Sequence, residues 1–596
     1  MNIVLLIGSA AVVYYLAQRF YAPFLSRQFG EDDSRPTPAV TCDDGVDFVP
    51  TRPHVLFAHH FSAIAAAGPI LGPTMALLYG YVPAMIWIVV GAVLIGAVHD
   101  YSCLFVSMRE GGRSIAEVAR RTLGNRAFAL FALFICFNLI VVNAVFLNLT
   151  AVSLTSLRDP AAIGLPDDQT LFRTIPGADG RPQAVVGGIA STSAIALTVV
   201  APILGLLVIR RKAKNALIYP LATALCIGSV LIGFVYPVTP PTIDLGFVTI
   251  GPTQFWVLMI AVYVWVAAAL PVWMILQPRE FVSVQFLYGG IALLVCAIIG
   301  AAIQGAPVSA PATAIESGEH ALGSIWPILF VTIACGAVSG FHGLVASGTT
   351  SKQIALESHA RPIGYVGMLG ESALALCVTF AIAIGVSYSD YSALLVRPVD
   401  AAADWKANPV LAFSVGVAGV CEIGLGIPKW LGILFGLLMV EGFVLDTLDV
   451  SIRLNRYLIE EVWATVFRRP PRWMRNFWFN SGIAVVLMLA MAYQNTAQSL
   501  WPIFGSGNQL LAALSLFTIW LWLRARGRRA LYILLPAIGV GVTTVGSLVY
   551  LLVTRYWPAG NYLLVATDVA FLALAGGALV AGWSGGRKTR SERYEA

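Results

Sequence analysis

Apolar runs of about 17 to 25 residues, each long enough to cross the hydrocarbon layer of a bilayer as a helix, recur along almost the whole chain. They fall near residues 2–18, 57–80, 82–108, 127–155, 186–209, 214–237, 254–276, 285–304, 324–345 and 364–388, and again near 430–449, 477–495, 500–523, 530–553 and 562–583. The connections between them are mostly short and polar. This pattern predicts an all-α polytopic membrane protein with about fifteen transmembrane helices. The first run has no basic stretch before it and no small-residue cleavage site after it, so it reads as a retained helix and not as a signal peptide.

Basic residues orient these runs, because Lys and Arg accumulate in cytoplasmic loops. Arg109, Arg113, Arg120, Arg121 and Arg126 crowd one connection, and Arg210, Arg211, Lys212 and Lys214 crowd another two spans later. Both are expected inside. The connections at 156–185 and at 238–253, the second without any Lys or Arg, then fall outside by parity. The basic segment 453–475 must also be cytoplasmic, which leaves room for only one full crossing between 408 and 449. The short stretch 408–425, which carries Glu422, is therefore expected to be re-entrant or interfacial. The N-terminus is expected in the periplasm and the C-terminus in the cytoplasm.

Composition removes the other broad classes. Of 596 residues, 58% are hydrophobic and only 11% are charged, against roughly 25% charged in soluble domains. The mean hydropathy is +0.80. Eight cysteines, none in a C-x-x-C pair, lie mostly in apolar stretches and read as small packing residues. No Walker sequence and no H-E-x-x-H helix occurs, so neither ATP drive nor zinc-protease chemistry is expected. The net charge of +6 comes from loop arginines without interleaved aromatics and makes no case for nucleic acid.

A five-span unit at 57–237 starts in the cytoplasm and the next, at 254–449, starts outside, so the two are expected to be antiparallel. That is the inverted-repeat plan of many transporters, here a LeuT/APC-like 5+5 core. The first span of each unit is interrupted: AAAGPILGP at 65–73 has two Gly-Pro pairs, and AAALPVW carries Pro271. Proline removes a backbone donor and clashes with the preceding turn, so both helices should break. The expected organisation is an N-terminal helix and linker at 1–52, a transport core at 53–449, and a four-helix extension with a tail at 450–596.

Ionisable groups inside spans cost at least about 2.5 kcal/mol each and so need a reason. His59 and His60 precede the first break, His99 and Asp100 end the next span, His342 lies in ACGAVSGFHGLVASGTTSK, and Glu371 lies in GMLGES. The histidines and Glu371 suit proton carriage. Ser339, Ser347, Thr349, Thr350 and Ser351 offer clustered hydroxyls, as either a Na⁺ site or helix-packing contacts. Asp446, Asp449 and Arg453 share one helix face at i, i+3, i+7, as either a self-neutralised pair at a helix end or a gate. Cys42, Asp43, Asp44, His54, His59 and His60 match no zinc spacing, and no metal site is expected.

The stretches DGVDFVPTRPHVLFAHHFSAIAAAGPILGP, MREGGRSIAEV, LPVWMILQPREF, IACGAVSGFHGLVASGTT, IGYVGMLGES and LWPIFGSGNQLLAA, running from Asp44 to Ala513, together resemble the carbon starvation protein A (CstA) family. Ala58 stands where that family usually has Gly, and His99 where it has Gln. The resemblance implies a bacterial inner-membrane transporter linked to uptake of pyruvate and of peptides. The expected activity is secondary active import of a small carboxylate or short peptide driven by H⁺ or Na⁺, with no cofactor and no enzymatic step. The competing reading is a membrane metabolite sensor without net transport, for which the short tail offers no output domain. In the transport reading, backbone amides around Ala65, Ala66, Ala67 and Gly68 would face the carboxylate. His59 and His60 would add donors or the coupled proton, His342 would line the opposite wall and Glu371 would relay. His99, Asp100, Asp446, Asp449, Arg453, Asn508 and Gln509 are candidate gate or relay groups.

Overall fold

Helix follows helix along the chain, because apolar runs in lipid leave backbone groups no partner but each other. The computed structural model describes residues 3–592 except 45–47, 66, 167, 178–179, 212–214, 245, 247–248, 272–273, 398–406 and 468–470. Among the described residues, eleven helices are long and apolar enough to cross a bilayer, or twelve if the bent pair Pro53–Ile64 and Gly68–Tyr79 is one span. Three shorter apolar helices are Pro220–Val235, Pro409–Leu425 and Phe477–Tyr493. Of the roughly fifteen expected spans, eleven or twelve thus have the length and apolarity to cross among the described residues.

Two expected spans change character. The run at 324–345 is two helices, Ile325–Thr332 and Gly340–Gly348, separated by non-helical backbone. The run at 254–276 stops at Ala269, before Pro271, and the chain resumes as a helix only at Leu276, as the missing proline donor dictates.

The fold comprises two compact units. The first holds Met1–Asn138, Ala312–Leu376 and Trp501–Ala596. In it the two interrupted helices approach at glycine: a Cβ added to Gly68 would stand 2.2 Å from Cys335 Sγ, and one added to Gly72 would stand 2.7 Å from the Thr332 carbonyl oxygen. The basic connection after Arg109 carries a short helix, Ile115–Leu123, capped by the Ser114 hydroxyl, which accepts from the Glu117 amide.

The second unit holds Leu139–Pro311 and Cys377–Leu500. Pro409–Leu425, expected to be re-entrant, is a continuous 17-residue helix buried except for its last turn. It packs against Leu276–Ile303 and Lys429–Val466. Its glycines explain the burial, because a Cβ on Gly419 would lie 1.7 Å from the Gly385 carbonyl oxygen and one on Gly424 would lie 2.0 Å from that of Ala297. A small-residue stripe of this kind lets helix backbones touch. Glu422, which suggested an interfacial segment, sits at the exposed end and pairs with Lys429 at 3.2 Å. The boundary expected at 449 falls inside one 38-residue helix, Lys429–Val466. The connection at 156–185 folds into a small antiparallel sheet of Leu157–Arg158, Pro182–Val185 and Thr174–Pro176.

Candidate functional site

Broken helices leave backbone carbonyls and amides without their intrahelical partners, and the first unit supplies replacements from side chains. At the end of Ile325–Thr332 the Phe330 carbonyl accepts from Gln509 Nε2 at 2.8 Å and from Trp87 Nε1 at 3.0 Å, and the Thr332 carbonyl accepts from Trp501 Nε1 at 3.1 Å. At the start of Gly340–Gly348, Asn508 Oδ1 accepts from the Phe341 amide at 2.9 Å, while its Nδ2 donates to Ser339 Oγ at 3.1 Å. Asn508 and Gln509, expected as gate groups, thus hold the two halves of one interrupted helix in place. Asn508→Ala removes a buried cap and leaves the Phe341 amide without it, at a cost of about 1 to 3 kcal/mol. A fall of that size in the stability of the detergent-solubilised protein is expected, and thermal unfolding checks it.

Beside this break lies a buried chain of acids and histidines. Asp100, fully buried, receives His99 Nδ1 on one oxygen at 2.8 Å and His342 Nδ1 on the other at 2.8 Å. The other nitrogen of the same imidazole, His342 Nε2, stands 3.0 Å from Glu371 Oε2. His99 Nε2 lies 3.5 Å from Cys103 Sγ. An imidazole facing two carboxyl groups through both nitrogens donates to both only as the imidazolium; as the neutral ring it needs one of the carboxyls protonated. Among the described residues neither Glu371 oxygen makes a hydrogen bond of full geometry, although Oε2 stands 3.0 Å from His342 Nε2.

His60 is buried on Pro53–Ile64, its Nδ1 2.9 Å from Thr350 Oγ1 and its Nε2 without a hydrogen-bond partner among the described residues. The adjacent His59 points outward from the same helix and is exposed. The clustered hydroxyls do not assemble a shared cage. Ser347 Oγ donates to the Gly343 carbonyl at 2.6 Å, Thr349 Oγ1 to that of Val345 at 3.1 Å, and Ser351 Oγ to that of Ser347 at 3.1 Å, while Ser339 binds Asn508. At the first break Ala65, Ala67 and Gly68 are fully buried, and Ala66 lies outside the described residues. The amides of Ala65, Ile70 and Leu71 already donate to the Phe61 and Ala67 carbonyls, so this turn offers fewer free donors than the sequence suggested.

The second unit brings Asp446 and Asp449 to a partner that sequence reasoning missed. Arg279 Nη1 lies 3.1 Å from Asp446 Oδ1 and 2.9 Å from Asp449 Oδ2, and Tyr263 donates its hydroxyl to Asp449 at 2.6 Å. Among the described residues Arg453 makes no ion pair with Asp446 or Asp449, so the self-neutralised pair, one of the two readings of this helix face, does not form. Its Nη2 donates to the Ala267 and Leu270 carbonyls at 2.7 and 2.8 Å, closing the helix end that Pro271 leaves open. Arg279 was visible as a charged residue in the quoted stretch LPVWMILQPREF, and Glu441, buried in the run at 430–449, was visible as a carboxylate inside a span. The rule that singled out Glu371 applies to both.

The family model for the carbon starvation protein CstA matches residues 2–404 and 398–547. A protein named peptide transporter CstA from Bacillus subtilis is 30% identical, with 97% of this chain and 94% of that protein aligned. The protein of the same name from Escherichia coli is 30% identical over 90% of this chain and 80% of its own. A pyruvate/proton symporter, BtsT, from Escherichia coli is 29% identical over 86% of this chain and 76% of its own. With matches running through both interrupted helices and every group of the acid and histidine chain, this chain belongs to the carbon starvation protein CstA family.

Proposed function

We propose that the chain is a secondary active transporter of the bacterial inner membrane, importing a small carboxylate such as pyruvate, or short peptides, with H⁺ as the coupling ion. The observation that carries this reading is the buried Asp100, His342 and Glu371 chain, in which one imidazole stands 2.8 and 3.0 Å from two carboxyl groups. Ionisable groups kept inside a membrane protein without a fixed charge balance suit a proton relay. The packing of the two interrupted helices at Gly68 and Cys335 supports an inverted-repeat core. In that core the second repeat begins at Ile325 and not near 254. Its substrate lies beside the breaks, with His60 Nε2 as a donor to the carboxylate, the N-terminus in the periplasm and the C-terminus in the cytoplasm. The names of the relatives support both substrate classes and favour H⁺ over Na⁺.

Uptake of labelled pyruvate into proteoliposomes, under imposed proton and sodium gradients applied separately and with a dipeptide as competitor, tests the reading. Accumulation under the proton gradient is expected; no accumulation under either gradient, for pyruvate or dipeptide, sinks it. His60→Ala is expected to lower uptake at least about tenfold, as loss of a charge-assisted hydrogen bond of about 1.5 to 3 kcal/mol requires, at an unchanged amount of protein in the membrane.

A further inference from the structure

We propose that Glu441 is a second proton-binding carboxyl, in the second unit, loaded and emptied once per transport cycle. The proposal rests on the reading of the chain as a proton-coupled transporter, but on different residues.

Glu441 sits in the apolar first half of Lys429–Val466, is 3% exposed, and has no hydrogen-bond partner on either carboxyl oxygen among the described residues. The stretch 139–154 of a second helix runs antiparallel to it. Asn143 accepts from the Ser451 hydroxyl at one point, and Ser153 faces Glu441 at another. Each helix advances the same number of residues between these two points, so they belong to one register. The seam between them is polar: Asn143, Thr150 and Ser153 on one side, Glu441 and Ser451 on the other, all buried. Among the described residues the Thr150 hydroxyl makes no hydrogen bond, and the Ser153 hydroxyl makes none of full geometry although it lies within reach of Glu441.

The charged neighbours are committed elsewhere. Arg279, on Leu276–Ile303, is held by Asp446 and Asp449 at 3.1 and 2.9 Å, and Tyr263, on Pro252–Ala269, donates to Asp449. Ser283, the residue of Leu276–Ile303 nearest Gly442, is uncharged, and on Pro409–Leu425 the one acid, Glu422, pairs with Lys429 at the exposed end. An ionised carboxylate at Glu441 therefore has no cation in contact, and burying one that way costs several kcal/mol. The neutral acid fits, and its O–H has the Ser153 hydroxyl as an acceptor; when the proton leaves, the same hydroxyl turns and donates. Hydroxyls left unpaired beside a neutral acid are costly for a structural role, whereas a site that must serve both protonation states keeps them. A metal cation needs a cage of several oxygens, and Ser153 alone faces the carboxyl.

The test uses the full chain in proteoliposomes, reading the final accumulation of labelled pyruvate at an inward gradient of one pH unit. Each coupled proton multiplies that ratio by about ten per pH unit. Glu441→Gln, which holds the hydrogen-bonding shape without a removable proton, is expected to keep transporting at a ratio about tenfold lower. Glu441→Asp, which keeps an acid but moves it, is expected to accumulate like the unmodified chain with a shifted pH of half-maximal uptake. A Gln variant with the unmodified ratio overturns the proposal, as does an Asp variant with an unmoved pH midpoint. A sodium-dependent accumulation lost in the Gln variant also overturns it, in favour of a metal cation. No proton-driven accumulation by the unmodified chain, measured first, overturns both this proposal and the function it rests on; normal accumulation with an unaffected Gln variant overturns this one alone.

Discussion

Glu371→Gln is expected to lower proton-driven accumulation about tenfold at one pH unit while the protein reaches the membrane in normal amount. The glutamine oxygen takes the place of Glu371 Oε2, 3.0 Å from His342 Nε2, and can accept an N–H from it. His342 keeps its other contact, to Asp100 at 2.8 Å, so the chain stays in place. What disappears is the second carboxyl, and with it the alternative seat for the shared proton. Under one pH unit the factor of about ten that the proton of this chain contributes to the ratio of internal to external substrate should fall to about one, the factor carried by Glu441 remaining, while downhill exchange of substrate persists. Unchanged accumulation by this variant removes Glu371 from the coupling path. Removing the histidine instead is a blunter instrument, because it strands two buried carboxylates and costs about 3 to 5 kcal/mol of stability; loss of uptake there does not separate chemistry from folding.

The second large effect is steric. Gly68→Ala adds a methyl group 2.2 Å from Cys335 Sγ and 2.5 Å from its Cβ, where no real Cβ fits. Both sides of this contact belong to interrupted helices, so relief requires moving a break and not merely turning a side chain. The expected result is a loss of about 1 to 3 kcal/mol in stability, as for other overpacked cores, together with loss of uptake. Pairing it with Cys335→Gly removes both clashing atoms and should restore most of the thermal stability. If the double variant is as unstable as the single one, the close approach of the two breaks is not what Gly68 serves. The two experiments separate two properties of one site: Glu371 concerns where a proton goes, and Gly68 concerns whether the two interrupted helices can meet at all.

The groups of the first unit were largely legible before any coordinates. His60, His99, Asp100, His342 and Glu371 stand out because an ionisable side chain in an apolar run demands an explanation. The same rule also marks Arg279 and Glu441, which were passed over: one sits at the edge of a run beside Pro278, the other is a single carboxylate in a long one. The trio Asp446, Asp449 and Arg453 shows where sequence spacing stops being informative. Spacing placed the three on one helix face, which is correct for a continuous helix. It could not say that the two acids turn to Arg279, far earlier in the chain, while Arg453 turns to the carbonyls of Ala267 and Leu270.

The sequence by itself determined the solvent this protein needs, the helical content, and the breaks at Gly68-Pro69 and Pro271, because hydropathy and the missing proline donor act within a few residues. Tertiary structure decided the rest. The break in ACGAVSG contains no proline, and what permits it is distant: Trp87, Trp501, Asn508 and Gln509 take up the backbone groups that the helix gives away. Likewise 408–425, short and carrying Glu422, reads as re-entrant or interfacial, and only the packing shows why it is a continuous buried helix: Gly385, Ala297 and Ala418 need its glycines and their neighbour Gly432 for contact. His342 stands between two carboxyl groups only because Asp100 and Glu371 arrive from other helices on its two sides. A local pattern specifies which backbone forms and which face is polar; which polar groups meet depends on how helices remote in sequence pack, and that is written in no single stretch of the chain.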